Sequence, residues 1–142
     1  MENAQWDIST ARESGFIYSF LSPLERGIPM ISTKDVGSLA ANLMQEEWTG
    51  VRFIELSTKD LVSPKDIENV FSKLLNKPIK TIQVPQENWT ELFLQQGMKN
   101  PQLRINMLNG FNEGWIFFEG SPAIQAFGDT TLEEAISDIL KI

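Results

Sequence analysis

No cysteine and no histidine occurs among the 142 residues, and this removes more chemistry than any other feature of the chain. A disulfide framework, Cys/His zinc sites, a cysteine nucleophile and every histidine-based triad are excluded. Acid–base work would fall to Asp, Glu, Lys or Tyr18, the single tyrosine. Four residues after Tyr18 stands Ser22, so a tyrosine–lysine pair at helical spacing is absent and no catalytic role is expected for Tyr18. Asp35 opens a helix, where backbone amides would fix its carboxylate, lower its pKa and weaken it as a base. No paired acids stand at a spacing that points to carboxylate catalysis, and neither a catalytic set nor a metal site is expected. Asn88-Trp89-Thr90 fits a glycosylation acceptor, but without a secretion signal it reads as chance.

No G-x-G-x-x-G, Walker loop or G-x-S-x-G occurs; the nine glycines are scattered, mostly at helix ends and turns. Dinucleotide binding by this chain alone is therefore not expected. The most unusual stretch is NGFNEGWIFFEG, residues 109–120, where four aromatics share a segment with three glycines and two asparagines. Aromatics among glycines suit a pocket wall, since Gly lets backbone approach a ligand while Phe and Trp supply apolar area. The plainer reading is a loop folded over the core and pinned by its aromatics.

The elements that must position these residues follow from periodicity and punctuation. In GIPMISTKDVGSLAANLM, residues 27–44, a buried strand is expected to run through a capping turn at Thr33 or Asp35 into a helix. Its apolar face is Val36, Leu39, Ala40, Leu43 and Met44. Upstream, residues 15–33 hold two apolar runs around a Pro23/Gly27 turn, as for strands joined by a loop. Val51 to Ser57 is the next strand. Ser63 then caps a helix with Pro64 at its first position and Asp66 in its first turn, burying Ile67, Val70, Phe71, Leu74 and Leu75 up to the stop at Asn76–Pro78.

Ile79 to Pro85 is a third strand. A helix opens at Gln86 and carries Trp89, Leu92 and Phe93 inward. Another starts at Asn100 and Pro101, with Leu103, Met107, Leu108 and Phe111 on its buried side. The tail holds a capping-box pattern, Thr130 to Glu133, followed by Leu132, Ala135, Ile136, Ile139 and Leu140. Strands alternating with helices from 28 to 85 imply parallel pairing through right-handed crossovers. The fold class expected is α/β, a small parallel sheet with flanking helices, in one unit spanning 1–142.

The formal net charge is −7, with no run of Lys or Arg, so nucleic acid and anionic membrane are not expected partners. No apolar run approaches the ~20 residues needed to span a bilayer, and the N-terminus has neither a basic start nor an apolar core segment. A cytoplasmic location is the expectation.

In order and spacing, MEN at the start, IPMISTKDVG, FIELSTKDLVSPKDI, NKPIKTIQVPQENW, GFNEGW and GDTTLEE together resemble the C-terminal half of NmrA-like proteins, atypical members of the short-chain dehydrogenase/reductase superfamily. The resemblance extends along nearly the whole chain. It implies that a longer protein would carry an N-terminal Rossmann half with the glycine-rich loop for NAD(P), and that this chain corresponds to the substrate side alone, with no cofactor of its own and no activity by itself. On this resemblance Met1 is an internal methionine of a longer ancestor. Asn3 is carried over to the cofactor side, only with the missing half restored. Phe111, Asn112 and Trp115, matching the G-F-N-x-G-W stretch, are carried over to the substrate side.

A half-domain cut from a Rossmann sheet leaves an apolar face and a strand edge uncovered. A homodimer through that face is therefore expected, together with a small-molecule ligand. The rival from another class is a stand-alone ligand-binding or protein-interaction domain whose aromatic segment is the working surface.

Overall fold

Helix starts and stops written into the sequence set the frame of the computed structural model, which describes residues 1–121 and 124–141. A 3-10 turn, Glu2–Asp7, leads into α1 (Ile8–Ser14), which Gly15 ends in the left-handed region at φ 77° before β1 (Phe16–Ser19). Then come α2 (Thr33–Leu43), β2 (Glu55–Ser57), α3 (Pro64–Leu75) and β3 (Lys80–Gln83). A second 3-10 turn, Gln86–Asn88, precedes α4 (Trp89–Gln95), followed by α5 (Pro101–Glu113), β4 (Gln125–Phe127) and α6 (Leu132–Leu140). The architecture is α/β, as expected. Its strands form two parallel pairs rather than one sheet: β1 with β3, Phe16 opposite Lys80, and β2 with β4, Glu55 opposite Gln125.

Two capping boxes hold helix starts. The Ser63 hydroxyl accepts the Asp66 N–H at 3.1 Å while the Asp66 carboxylate accepts the Ser63 N–H at 2.8 Å, and Asn76 closes α3 in the left-handed conformation. α6 begins with Thr131 and Glu134, one residue later than the pattern Thr130 to Glu133 indicates. Thr130 is engaged elsewhere: its N–H and hydroxyl donate to Asp35 at 3.1 and 2.8 Å. Asp35 is thus a clasp between α2 and the start of α6. The cap of α2 is Ser32, whose hydroxyl accepts the Lys34 N–H, rather than Thr33 or Asp35.

The core has two parts. Ala11, Ile17, Phe71, Ile79, Ile136 and Ile139 join α1, β1, α3 and α6, and Trp89, Phe93, Ile105 and Leu108 join α4 to α5. Phe20 packs against the second part, 5.0 Å from the Phe93 ring, and the Arg104 guanidinium lies over Phe93 at 4.6 Å. On α5 the buried positions are Ile105 and Leu108, while Leu103 and Met107 are exposed. The three-residue step from 105 to 108 selects one face, and 103 and 107 fall off it.

Three strand expectations change. The run 28–33 forms no strand. Ile28 makes an isolated antiparallel bridge to Val62, next to Pro29, which has no N–H to extend a ladder. Of Val51 to Ser57 only Glu55–Ser57 is strand, because β4, its partner, is three residues long; Val51 and Phe53 face solvent. β4 itself lies in a region read from sequence as helical and loop-like. α2 fully buries none of its residues: of the expected apolar face, Leu39 and Leu43 are half-buried while Val36, Ala40 and Met44 are exposed.

Carboxylates guard both edges of the β1–β3 pair. Asp7 accepts the Tyr18 N–H at 3.1 Å on one edge, and Glu68 accepts the Thr81 N–H at 2.6 Å on the other, occupying donors that an edge strand would otherwise offer to a foreign chain. Burial pushes the Asp7 carboxyl above its ordinary 3.8, and the Tyr18 hydrogen bond only partly opposes this. A group with a raised folded pKa contributes stability that is complete below 3.8 and lost as pH rises through the folded value. Asp7→Asn keeps an acceptor for Tyr18 and removes the buried charge. It should therefore raise the thermal midpoint at pH 7, read by circular dichroism, and leave it nearly unchanged at pH 3.

Candidate functional site

The aromatic and glycine-rich stretch divides at Gly114. Residues up to Glu113 belong to α5, and Gly114, at φ 86°, turns the chain back. The amides of Gly114, Trp115 and Ile116 all donate to the Gly110 carbonyl at 3.0–3.1 Å. Gly110 admits this fold-back: a Cβ there would stand 2.5 Å from the Ile116 side chain and 2.9 Å from the Trp115 ring. The far end is tied down by Glu55 of β2, whose carboxylate accepts the N–H groups of Glu119 and Gly120 at 2.8–3.1 Å.

Where α5 ends, Asn112 clamps the segment after β1. Its side-chain N–H donates to the Phe20 carbonyl at 2.9 Å and its Oδ1 accepts the Ser22 N–H at 2.8 Å; the fixed donor and acceptor define which amide atom is which. The Arg26 guanidinium donates to the Asn112 carbonyl. This bracing borders an open cleft of about 350 Å³ lined by Ser22, Gln83, Gln86, Asn109, Asn112 and Glu113. Gln86 donates to Asn109 at 3.1 Å. The Trp89 indole, fixed by its N–H on the Val84 carbonyl at 2.9 Å, closes the floor.

Of the residues carried over to the substrate side, Asn112 lines this cleft while Phe111 and Trp115 do not. Phe111 is half-buried, and Trp115 is exposed with its indole N–H on the Glu113 carboxylate at 2.9 Å. Asn3 is exposed on the 3-10 turn Glu2–Asp7, away from the cleft lining. Beside it, the Glu2 carboxylate accepts the Ser32 hydroxyl at 2.6 Å and the Thr33 N–H at 3.1 Å. Burial alone would push the Glu2 carboxyl up, but these bonds and the N-terminal ammonium outweigh it and hold the pKa at about 2.

Chemically the cleft is a set of neutral amides and one carboxylate over an indole. It can orient a small hydrogen-bonding molecule, and among its lining residues no nucleophile–base pair is assembled. Among the described residues no group of three or more Asp and Glu side chains is placed to hold a metal ion, and no helix is long and apolar enough to cross a membrane. The carboxylates that brace the fold, Asp7, Glu2, Asp35, Glu55 and Glu68, carry no local sequence signal beyond Asp35's place at a helix start. The N–H and hydroxyl groups they accept from lie 11 to 95 residues away.

The architecture is α/β, two small parallel strand pairs flanked by helices. No protein-family model matches the chain, and comparison with curated proteins gives no match. Among solved structures, the triphenylmethane reductase of Citrobacter sp., complexed with NADP(H), shares the fold with a TM-score of 0.69 at 15% sequence identity, over 94% of this chain and 47% of that one. This chain spans about half the length of that reductase.

Proposed function

We propose that this chain is the substrate-side portion of an NmrA-like, NAD(P)-using oxidoreductase architecture, and that it does not hold a dinucleotide by itself. One observation carries this reading: nearly all of the chain superimposes on about half of a reductase that is complexed with NADP(H). Support comes from the sequence, which has no glycine-rich loop to cradle a pyrophosphate. In this reading the cleft at the end of α5 receives a small polar substrate, with Asn112 shaping its wall and Glu113 offering the charge. Phe111 and Trp115 support that wall from outside. Asn3 approaches a cofactor only when a dinucleotide-holding layer is present.

Titration of the chain with NADPH, followed by the cofactor's fluorescence, should show no saturable binding at micromolar concentrations. Saturable micromolar binding would overturn the reading. An in-frame glycine-rich βαβ encoded just upstream of Met1 is the matching expectation at the gene.

A further inference from the structure

The surface formed by α2 and residues 44–53 has the properties of an interface rather than of a solvated helix. α2 is a helix of eleven residues with none buried. It lies beside a groove against the β2–β4 pair, lined by Leu39, Leu43, Phe53 and Ile54. Phe53 of the groove is 73% exposed, and along α2 and residues 44–53 Val36, Met44, Trp48 and Val51 are 45, 81, 50 and 81% exposed. Taken at the lower end of about 150–250 Å² for a large side chain, since two of the five are valines, they present roughly 500 Å². That is the upper end for the largest apolar patch of an ordinary monomer, about 300–600 Å². The charges at the groove neutralise each other, since Arg52 and Glu46 form an ion pair.

We propose that this face binds a second copy of the same chain in a two-fold dimer. Two such faces together bury about 1,000 Å², which reaches the threshold of a specific interface. The face is also complementary to itself. Antiparallel pairing of α2 centred on Ala40 sets Val36 of one copy beside Met44 of the other, with the small Ala40 side chains at the crossing and the helix dipoles opposed. Each copy carries a net charge of −7, so the copies repel at low ionic strength and salt screening tightens the dimer. The proposal stands on the exposed face and holds whether or not the cleft serves a reductase.

Sedimentation equilibrium of the full chain at micromolar concentrations should give twice the 16.1 kDa chain mass, with association strengthening as salt is added. Met44→Glu and Val51→Glu, each at an exposed position and each checked for native circular dichroism, should weaken association at least about tenfold. Leu103→Glu, exposed on α5 away from this face, should leave it intact. A monomer in the wild type would overturn the proposal and reserve the face for a different macromolecule, such as a dinucleotide-holding layer. A dimer that survives both charged substitutions would overturn it by placing the contact elsewhere. Neither result bears on the NADPH titration.

Discussion

Phe71→Ala should destabilise the chain by about 3–5 kcal/mol, the range for deleting a large buried aromatic and leaving its cavity. Phe71 is 0% exposed and lies where α3 meets α1, β1 and α6, against Ala11, Ile17, Ile79 and Ile136. These neighbours come from α1, β1, α6 and the residue before β3, held by the β1–β3 pairing and the α6 capping box, so collapse into the vacated volume is limited. A domain of this size has about 5–15 kcal/mol in total, so the variant is left marginal. In urea, with a slope of about 1–3 kcal/mol per molar, the midpoint should fall by about 1–5 M. Phe53→Ala changes the same side-chain type at a position 73% exposed; in the isolated copy it should cost no more than about 0.5 kcal/mol. Equal shifts for the two variants would refute the assignment of the core.

The contrast between Phe71 and Phe53 also marks how far the sequence could be read. The step pattern 67, 70, 71, 74, 75 announces α3, and Ser63, Pro64, Asp66 and Asn76 fix its ends, because caps and periodicity are local properties. The same pattern at 36, 39, 40, 43, 44 announces α2 equally well. Periodicity reports that a face is apolar and nothing about what lies on it, so α2 forms as read while Val36, Ala40 and Met44 of its face stay exposed. Strand extent was less legible: β2 is cut to three residues because its partner β4 is only three long, and Gln125–Phe127 has no alternation long enough to register. The pairing is parallel, as the strand–helix alternation from 28 to 85 implied, but each pair includes a strand outside that span, β1 in one and β4 in the other.

The cleft was half legible. The segment containing Asn112 stands out by composition, yet the selection of Asn112 over Phe111 and Trp115 depends on where α5 ends. The clamp on Phe20 and Ser22 spans 90 to 92 residues of chain. Glu55 and Asp35 were invisible as braces for the same reason: an acid that accepts distant backbone N–H groups looks like any surface acid in sequence.

Glu68 is the brace whose loss should cost most. It is buried; one oxygen accepts the Thr81 N–H at 2.6 Å and the other pairs with Lys65, whose side chain is 48% exposed. Glu68→Ala strands the Thr81 amide at a partly buried strand edge, and an unpaired donor together with a lost charge-assisted bond should cost about 2–3 kcal/mol. Glu68→Gln keeps an acceptor for Thr81 and removes only the attraction to Lys65. Solvent screens that attraction, so the cost should stay at or below about 1 kcal/mol at pH 7.

Acid titration separates the two contributions further. Burial by itself would push the Glu68 carboxyl up, but the bonds from Lys65 and Thr81 bring it below its ordinary 4.5. A depressed folded pKa gives stability that is complete above 4.5 and lost as pH falls through the folded value. The gap between wild type and Glu68→Gln should therefore close on acidification below pH 4.5. The gap to Glu68→Ala should narrow but persist, because the amide of Thr81 lacks an acceptor at every pH. Urea midpoints of the three proteins across that range decide it: if the Gln and Ala variants match at pH 7, the strand-edge bond is not what Glu68 supplies.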